Sequence, residues 1–275
     1  MKIAFIGQKG IPTTFGGIEF HVEQLSGELV RQGHSVIVYV RDWYTDKNLK
    51  EFRGVTLRHL PTIKTKHLDA CVHSFLCSFH ALFSRVDIIH YHGIGPALFS
   101  IFPWIFGKKI VVTVHRLDWL TEKWGAFAKT CLKFGEYISV KIPHATIVVS
   151  EDLQNYFQQK YGQSTIHIPN GTIPVQPLPV MLIREKYRLE RQEYILFMGR
   201  LSPEKRVDWL IRAYHEVTAR NPALSKVKLV IAGGSSATDE YVETLKTLSN
   251  NLPQIIFTGY VTGQEKEELL SNALC

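Results

Sequence analysis

Residues 194–206 read Tyr-Ile-Leu-Phe-Met-Gly-Arg-Leu-Ser-Pro-Glu-Lys-Arg, and this stretch decides the fold. Tyr194 to Met198 is an apolar run of strand length, Gly199 ends it, and a helical pattern runs from Arg206 to Arg220. A strand that hands over at once to a helix is half of a βαβ unit. Such units in series build parallel sheets covered on both faces. The rhythm continues with a strand over Val227–Ala232, a helix over Asp239–Ser249, a strand over Gln254–Thr258 and a helix over Glu265–Asn272.

Upstream the rhythm breaks once. Residues 173–179 hold Pro174, Pro177 and Pro179, which keep the backbone extended and lack the amide hydrogen that a helix interior needs. Before the break the same alternation is present. Strands are expected over Lys2–Ile6, Val36–Val40, Val55–Leu60, Asp87–Tyr91, Lys109–Val114, Thr146–Val149 and Thr165–Ile168. The spacing of Ile18, Val22, Leu25 and Leu29 predicts a helix that Gly33 ends. Further helices are expected over Asp69–Phe83, Lys123–Val140 and Glu151–Tyr161, the last capped by Ser150. The expectation is an α/β protein with two doubly wound domains: residues 1–172, a linker over 173–193, and 194–275. The second has only three strands and is expected to be incomplete.

Composition agrees with a folded globular chain. Of 275 residues, 45% are hydrophobic and 21% charged, enough for a full core without a disulfide or structural metal. The cysteines, Cys71, Cys77, Cys131 and Cys275, form no CxxC pair, which argues against a zinc or redox motif and fits reduced thiols in a cytoplasmic protein. The net charge of +7 is dispersed, with no Lys/Arg-rich run. That pattern disfavours nucleic acid and favours phosphorylated ligands or an anionic membrane. No signal-peptide pattern opens the chain. The apolar stretch Ile94–Phe106 contains Pro96 and Pro103 and is too short to span a bilayer; it reads as a buried helix or an interfacial one.

In open parallel sheets, ligands bind beyond the carboxyl ends of the strands. After the first strand comes Gly7-Gln8-Lys9-Gly10-Ile11-Pro12-Thr13-Thr14-Phe15-Gly16-Gly17. The glycines at its end, Gly16 and Gly17, let a backbone approach an anion at a helix N-terminus, or else form a plain tight turn. The spacing fits neither the dinucleotide fingerprint nor the P-loop. His90-Tyr91-His92-Gly93 ends a later strand, where His92 is either a cleft residue or a histidine satisfied by nearby backbone. Thr113-Val114-His115-Arg116-Leu117-Asp118-Trp119 crowds polar groups onto another strand end. His115 there can bond a sugar hydroxyl or meet developing charge; Asp118 is a site residue or a helix N-cap. In the second block, Arg200 and Lys205 place two cations at the mouth of the sheet, suited to a diphosphate. The alternative is a solvated loop in which Glu204 pairs with Lys205 or Arg206. Ala232-Gly233-Gly234-Ser235 and Thr258-Gly259-Tyr260-Val261 are two more small-residue turns on the same edge.

Taken in order, the segments GQKGIPTTFGGIE, HYHGIGPALFS, VVTVHRLDW, IPNGT, FMGRLSPEKR, KLVIAGG and IIFTGYVTGQEKEEL resemble the family 4 retaining glycosyltransferases of the GT-B fold. The resemblance implies two Rossmann-like domains and transfer of a hexose or deoxyhexose from a nucleotide-diphosphate sugar to a glycan or lipid-linked acceptor, with retention and without a required metal or other cofactor. It places Gly16 and Gly17 at the donor phosphates and sugar and His115 at the reaction centre. Arg200 and Lys205 would neutralise the diphosphate, and Gly259 to Val261 would face the nucleobase. Glu19, His21, His92 and Asp118 would lie on the acceptor side. It also implies peripheral contact with the inner face of a plasma membrane. The family's paired-glutamate motif, E-x7-E, would fall after Cys275, so the chain is expected to be truncated. The rival readings are a non-catalytic nucleotide-binding fragment and a GT-B nucleotide-sugar epimerase.

Overall fold

The computed structural model describes residues 1–275 apart from 66–67, 122–123, 173, 175, 235–238 and 250–251. The chain divides into two units, Met1–Gly171 and Thr172–Cys275.

The first unit is a parallel sheet with helices on both faces. In chain order its elements are β1 (Lys2–Ile6), α1 (Gly17–Arg31), β2 (Ser35–Arg41), β3 (Glu51–Phe52), β4 (Val55–Leu60), α2 (Leu68–Phe83) and β5 (Ile88–His92). There follow α3 (Ile94–Ala97), α4 (Ile101–Ile105), β6 (Lys109–Val114), α5 (Ala126–Lys141), β7 (Ala145–Val148), α6 (Glu151–Tyr161) and β8 (Ile166–His167). The strand order is β3-β4-β2-β1-β5-β6-β7-β8, and only β3 runs antiparallel to its neighbour. Side chains alternate across the sheet, so both faces of β1 are buried. Ile3 and Phe5 pack with Val22, Val36 and Val38 on one face, while Ala4 and Ile6 pack with Tyr39, Ile89 and Val112 on the other. That double burial is why the strand reads as a continuous apolar run.

Two sequence expectations shift in this unit. The stretch Ile94–Phe106 becomes α3, a 3-10 turn over Leu98–Ser100, and α4. Pro96 and Pro103 are each the third residue of their short helix, in the first turn, where a missing N–H costs nothing. The helix expected from Lys123 begins at Ala126; Lys123 itself lies outside the described residues. Ser150 caps α6 as expected, its Oγ accepting from the Leu153 amide at 3.3 Å, and Gly162 ends that helix in the left-handed region at φ 64°.

The second unit contains α7 (Leu182–Tyr187), β9 (Tyr194–Met198), α8 (Val207–Arg220), β10 (Lys228–Ala232), α9 (Asp239–Leu248), β11 (Ile255–Gly259) and α10 (Gly263–Asn272). Its three described strands are parallel in the order β11-β10-β9. One face carries Val207, Ile211 and Leu245 of α8 and α9 against Leu229 and Ile231. The other carries Ile183, Leu189 and Leu269 against Tyr194, Val230 and Ala232.

The stretch 173–193, expected as a linker, is largely part of this second core. Ile183 and Leu189 are fully buried. The Glu268 carboxylate on α10 accepts from the amides of Met181 and Ile183 at 3.0 and 3.2 Å, which satisfies open donors at the start of α7. Asn272 Nδ2 donates to the Leu178 carbonyl at 3.0 Å. Burial pushes the Glu268 pKa up, but the amides of Met181 and Ile183 and the Gln264 side chain outweigh it, and the net shift is downward. Residues 172–177 precede these ties, and Ile173 lies outside the described residues.

Candidate active site

The expected site residues fall into two groups, one in each unit. In the first unit the chain runs from β1 to β2 on one side and returns to β5 on the other, so the switch point lies between the carboxyl ends of β1 and β5. Gly7 leaves β1 there with φ 120°. A Cβ on it would sit 2.4 Å from the His92 carbonyl oxygen, so glycine is required for the two strand ends to touch.

The loop from Gln8 to Gly16 is braced at several points. The buried Gln8 Nε2 donates to the carbonyls of Phe5 and Tyr39 at 3.1 and 2.9 Å. Tyr44 Oη accepts from the amides of Thr14 and Phe15 and donates to the Phe15 carbonyl. Glu19 and Glu23, one turn apart on α1, accept from the amides of Lys9 and Thr13 at 3.0 and 2.6 Å. Glu19 was expected on the acceptor side; it is buried, and its carboxylate holds the loop. Gly16 precedes α1 with φ 108°, and Gly17 is the helix's first residue.

Three of the expected histidines meet. His92 ends β5, His115 follows β6, and His21 stands on the second turn of α1. His92 Nδ1 and His115 Nε2 are 3.1 Å apart, one donating and the other accepting. The His21 ring lies edge-on to both, with centroids 5.6 Å from His92 and 5.0 Å from His115. Behind them His90, not singled out from the sequence as a site residue, stacks on His92 at 4.4 Å and bonds Thr113 Oγ1 at 2.7 Å. Burial lowers the pKa of all four rings, that of His115 to about 4 and that of His90 to about 3, with their neighbours adding to the effect in three of them. At neutral pH these are uncharged imidazoles, able to donate and accept at once.

Asp118 opens a 3-10 turn, and its Oδ1 accepts from Arg116 Nε at 2.8 Å. The next residue, Trp119, donates its indole N–H to Glu136 on α5. Glu136 is fully buried and also accepts from Tyr156 Oη at 2.9 Å, Lys160 Nζ at 2.8 Å and Tyr161 Oη at 2.6 Å. Its hold on Trp119 anchors the loop that leaves His115. The signal in the sequence was a lone acid within the apolar run of α5, Phe134-Gly135-Glu136-Tyr137-Ile138.

In the second unit, Arg200 and Lys205 are both exposed beyond the carboxyl end of β9. Arg200 is paired with Glu204 at 2.5 Å, so the acid chooses Arg200 and not Lys205 or Arg206. Lys205 ends a 3-10 turn, Pro203–Lys205. The three glycine turns expected on this edge are knitted together: the Gly199 amide donates to Ala232 O at 2.9 Å and the Gly233 amide to Gly259 O at 2.8 Å. The backbone demand falls on Gly233, which has φ 152° and whose Cβ would lie 1.8 Å from Gly199 O. Gly199 itself has ordinary space around its Cβ position. Ser235 lies outside the described residues. Gly259 adopts φ 73°. Val261, expected as an apolar wall for a base, is only 8% exposed and packs into the core with Leu189 and Leu269; Tyr260 beside it is 59% exposed.

Glycosyltransferases of the GT-B class are built from two doubly wound α/β units of this kind, and the chain has their fold. The profile of Glycosyltransferase Family 4 matches residues 15–174, and that of glycosyl transferases group 1 matches residues 181–275. The chain belongs to Glycosyltransferase Family 4. It is 25% identical to an uncharacterised glycosyltransferase of Methanocaldococcus jannaschii, over 99% of this chain and 73% of that one. It is 26% identical to a GDP-mannose-dependent alpha-(1-6)-phosphatidylinositol monomannoside mannosyltransferase of Mycolicibacterium smegmatis, over 92% of this chain and 66% of that one. Among solved structures, the Anabaena HepE protein in complex with UDP and glucose superposes with a TM-score of 0.72 at 18% identity, over 99% of this chain and 72% of that one. The chain thus spans roughly two thirds to three quarters of the length of these relatives.

Proposed function

We propose that the protein moves a hexose or deoxyhexose from a nucleoside-diphosphate sugar to a hydroxyl of a lipid-linked glycan, with retention, on the cytoplasmic side of a membrane. The observation that carries the donor side is the pair of exposed cations at the carboxyl edge of β9. The leaving diphosphate gains charge as the glycosidic bond breaks, and preorganised donors aimed at it stabilise the transition state. The Arg200–Glu204 pair is an exposed ion pair, which contributes about 0–1 kcal/mol. A diphosphate can therefore displace Glu204 at small cost and take Arg200 as a bidentate fork. His115, neutral and bonded to His92, would orient the sugar or accept from its hydroxyls; no step here calls for a metal. The Mycolicibacterium relative's use of GDP-mannose supports a sugar nucleotide as donor.

Calorimetry with UDP-glucose and GDP-mannose tests this reading. Arg200→Ala and Lys205→Ala should each weaken binding of the preferred donor by roughly 10- to 100-fold, the size of losing one hydrogen bond to a charged group, about 1.5–3 kcal/mol. Unchanged binding in both variants would refute the diphosphate role.

The acceptor side rests on α2, whose amphipathicity is inverted. Its buried face carries His73, Ser74, Cys77 and Ser78, while Phe75, Phe79 and Phe83 stand outward at a spacing of four, Phe83 being 73% exposed. The Phe75 ring contacts Phe99 and Phe102, and Trp104, Ile105 and Phe106 of the neighbouring segment are exposed as well. Among the described residues no helix is long and apolar enough to cross a membrane. Aromatic side chains gathered on one surface of a basic protein suit the interface of an anionic bilayer. In vesicle co-sedimentation, the triple variant Phe79→Ser, Phe83→Ser, Phe106→Ser should bind phosphatidylglycerol-containing vesicles more than tenfold less tightly, since each buried Phe contributes about 1.5–3 kcal/mol. Equal binding by the variant would remove the membrane from the proposal.

A further inference from the structure

We propose that His21, His92 and His115 form a binding site for a divalent transition metal of the Zn2+ class. Among the described residues these three are the one group of His, Cys, Asp or Glu whose ligand atoms, one from each residue, all lie within 4.8 Å of one another. Each comes from a different braced element: His21 from α1, His92 from the end of β5, and His115 from the turn after β6. A site assembled this way is held by the sheet and not by one flexible loop.

The spacing fits. With metal–nitrogen bonds of about 2.0–2.1 Å, two ligands of a tetrahedral ion stand about 3.3 Å apart. His92 Nδ1 and His115 Nε2 are 3.1 Å apart already. The other nitrogen of His92, Nε2, is buried with no hydrogen-bond partner, so the fold leaves this ring incompletely satisfied. His90 and Phe5 back the cluster through contacts with His92, while His21 and His115 stay part-exposed. The outer side is thus left for a water or an incoming ligand, as in three-histidine zinc sites that keep an open position. An all-imidazole set suits Zn, Cu or Ni and does not suit Mg or Ca, which prefer oxygen.

The proton balance is simple. Without metal, one proton is shared between His92 Nδ1 and His115 Nε2. Ligation at that edge requires the proton to shift to the far nitrogen of the ring that carries it, with no net uptake or release. The binding itself stands on this geometry alone. Its consequence, that an occupied site blocks sugar transfer, rests on the proposed place of His115 at the reaction centre.

The test is titration of the chelator-treated 275-residue chain with Zn2+ against a chromogenic indicator, and with Co2+ read by its visible absorption. One equivalent should bind more tightly than any other, with the intense Co2+ bands of a tetrahedral ion and a rise in melting temperature. His21→Gln and His115→Gln should each weaken that equivalent by at least about 100-fold, since loss of a partner that merely supports a ligand already costs about 10–100-fold. His34→Gln, on a histidine apart from the cluster, should leave it unchanged. If Zn2+ binds both cluster variants as tightly as the parent chain, or if no tight equivalent is found, the site does not exist. Sugar-nucleotide calorimetry on metal-free protein reports separately on the donor reading. A tight equivalent that leaves transfer unaffected upholds the metal site and removes His115 from the reaction centre.

Discussion

Gly233→Ala should cost the second unit about 4 kcal/mol and abolish nucleotide binding. The estimate combines a strained backbone, roughly 1–3 kcal/mol, with a forced displacement of packed atoms, roughly 1–3 kcal/mol. The two add because they are separate demands. Residue 233 adopts φ 152°, which L side chains rarely do, and its Cβ would meet Gly199 O at 1.8 Å. That oxygen is main chain and cannot rotate away. Moving it would break the Gly199 to Ala232 bond and the Gly233 to Gly259 bond together, opening the edge that carries Arg200. Denaturant unfolding of the second unit, with donor calorimetry beside it, checks this. The contrasting variant is Gly199→Ala, whose Cβ would meet only the Phe197 ring at 3.5 Å, an ordinary contact. It should lose little stability. Equal losses from the two would show that the clash is not what constrains the turn.

Glu136→Ala is the second large effect, about 3 kcal/mol, since a buried donor left without its acceptor costs about 1–3 kcal/mol and more than one is left here. The carboxylate is fully buried, and its removal takes the acceptor from the part-buried donors of Trp119, Tyr156 and Tyr161, while the exposed Lys160 can turn to water. Glu136→Gln keeps the shape and one acceptor oxygen and should lose less. Trp119 is released in both, so near-ultraviolet circular dichroism should change even where the unit stays folded. Acid reports on the same contact. Burial alone would raise the Glu136 pKa, but the hydrogen bonds from Lys160, Tyr161, Trp119 and Tyr156 hold it below the usual carboxylate value. A depressed folded pKa means the stabilisation is full above the unfolded value, about 4.3, and disappears as pH falls through the lower folded one. Chemical unfolding of the parent chain and Glu136→Ala should thus differ most at neutral pH and converge as pH falls below the unfolded carboxylate value. A difference that stays constant throughout the acid range in which the parent chain remains folded would show that the carboxylate charge is not responsible.

Most of the fold was readable because β1, β2, β5, β6 and β10 are buried on both faces, and β9 partly so, and they therefore appear as plain apolar runs. What escaped was set by tertiary contact. The helix α7 follows three prolines and spans only Leu182–Tyr187; it exists because Ile183 and Leu189 enter a core and Glu268 caps it from 85 residues away. The two-residue β3 has no pattern of its own and is defined by pairing with β4. At the site, His21, His92 and His115 could each be picked out by position at a strand end or on the first helix. That the three rings touch follows only from the order β1-β5-β6, which brings residues 71 positions apart in sequence together. Gly233 and Gly199 looked alike as letters; φ and the nearness of one carbonyl oxygen separate them. Glu136 was hidden because an acid on a helix normally faces water.

The anchoring of residues 178–189 onto α10 has a consequence for anyone recombining relatives of this protein. A splice at 193, just before β9, would leave Ile183 and Leu189 behind with the wrong parent, and Glu268 would face a foreign sequence. A junction within 172–177 transplants the short helix together with the acid that steadies it, and a chimaera cut there should inherit an intact second half.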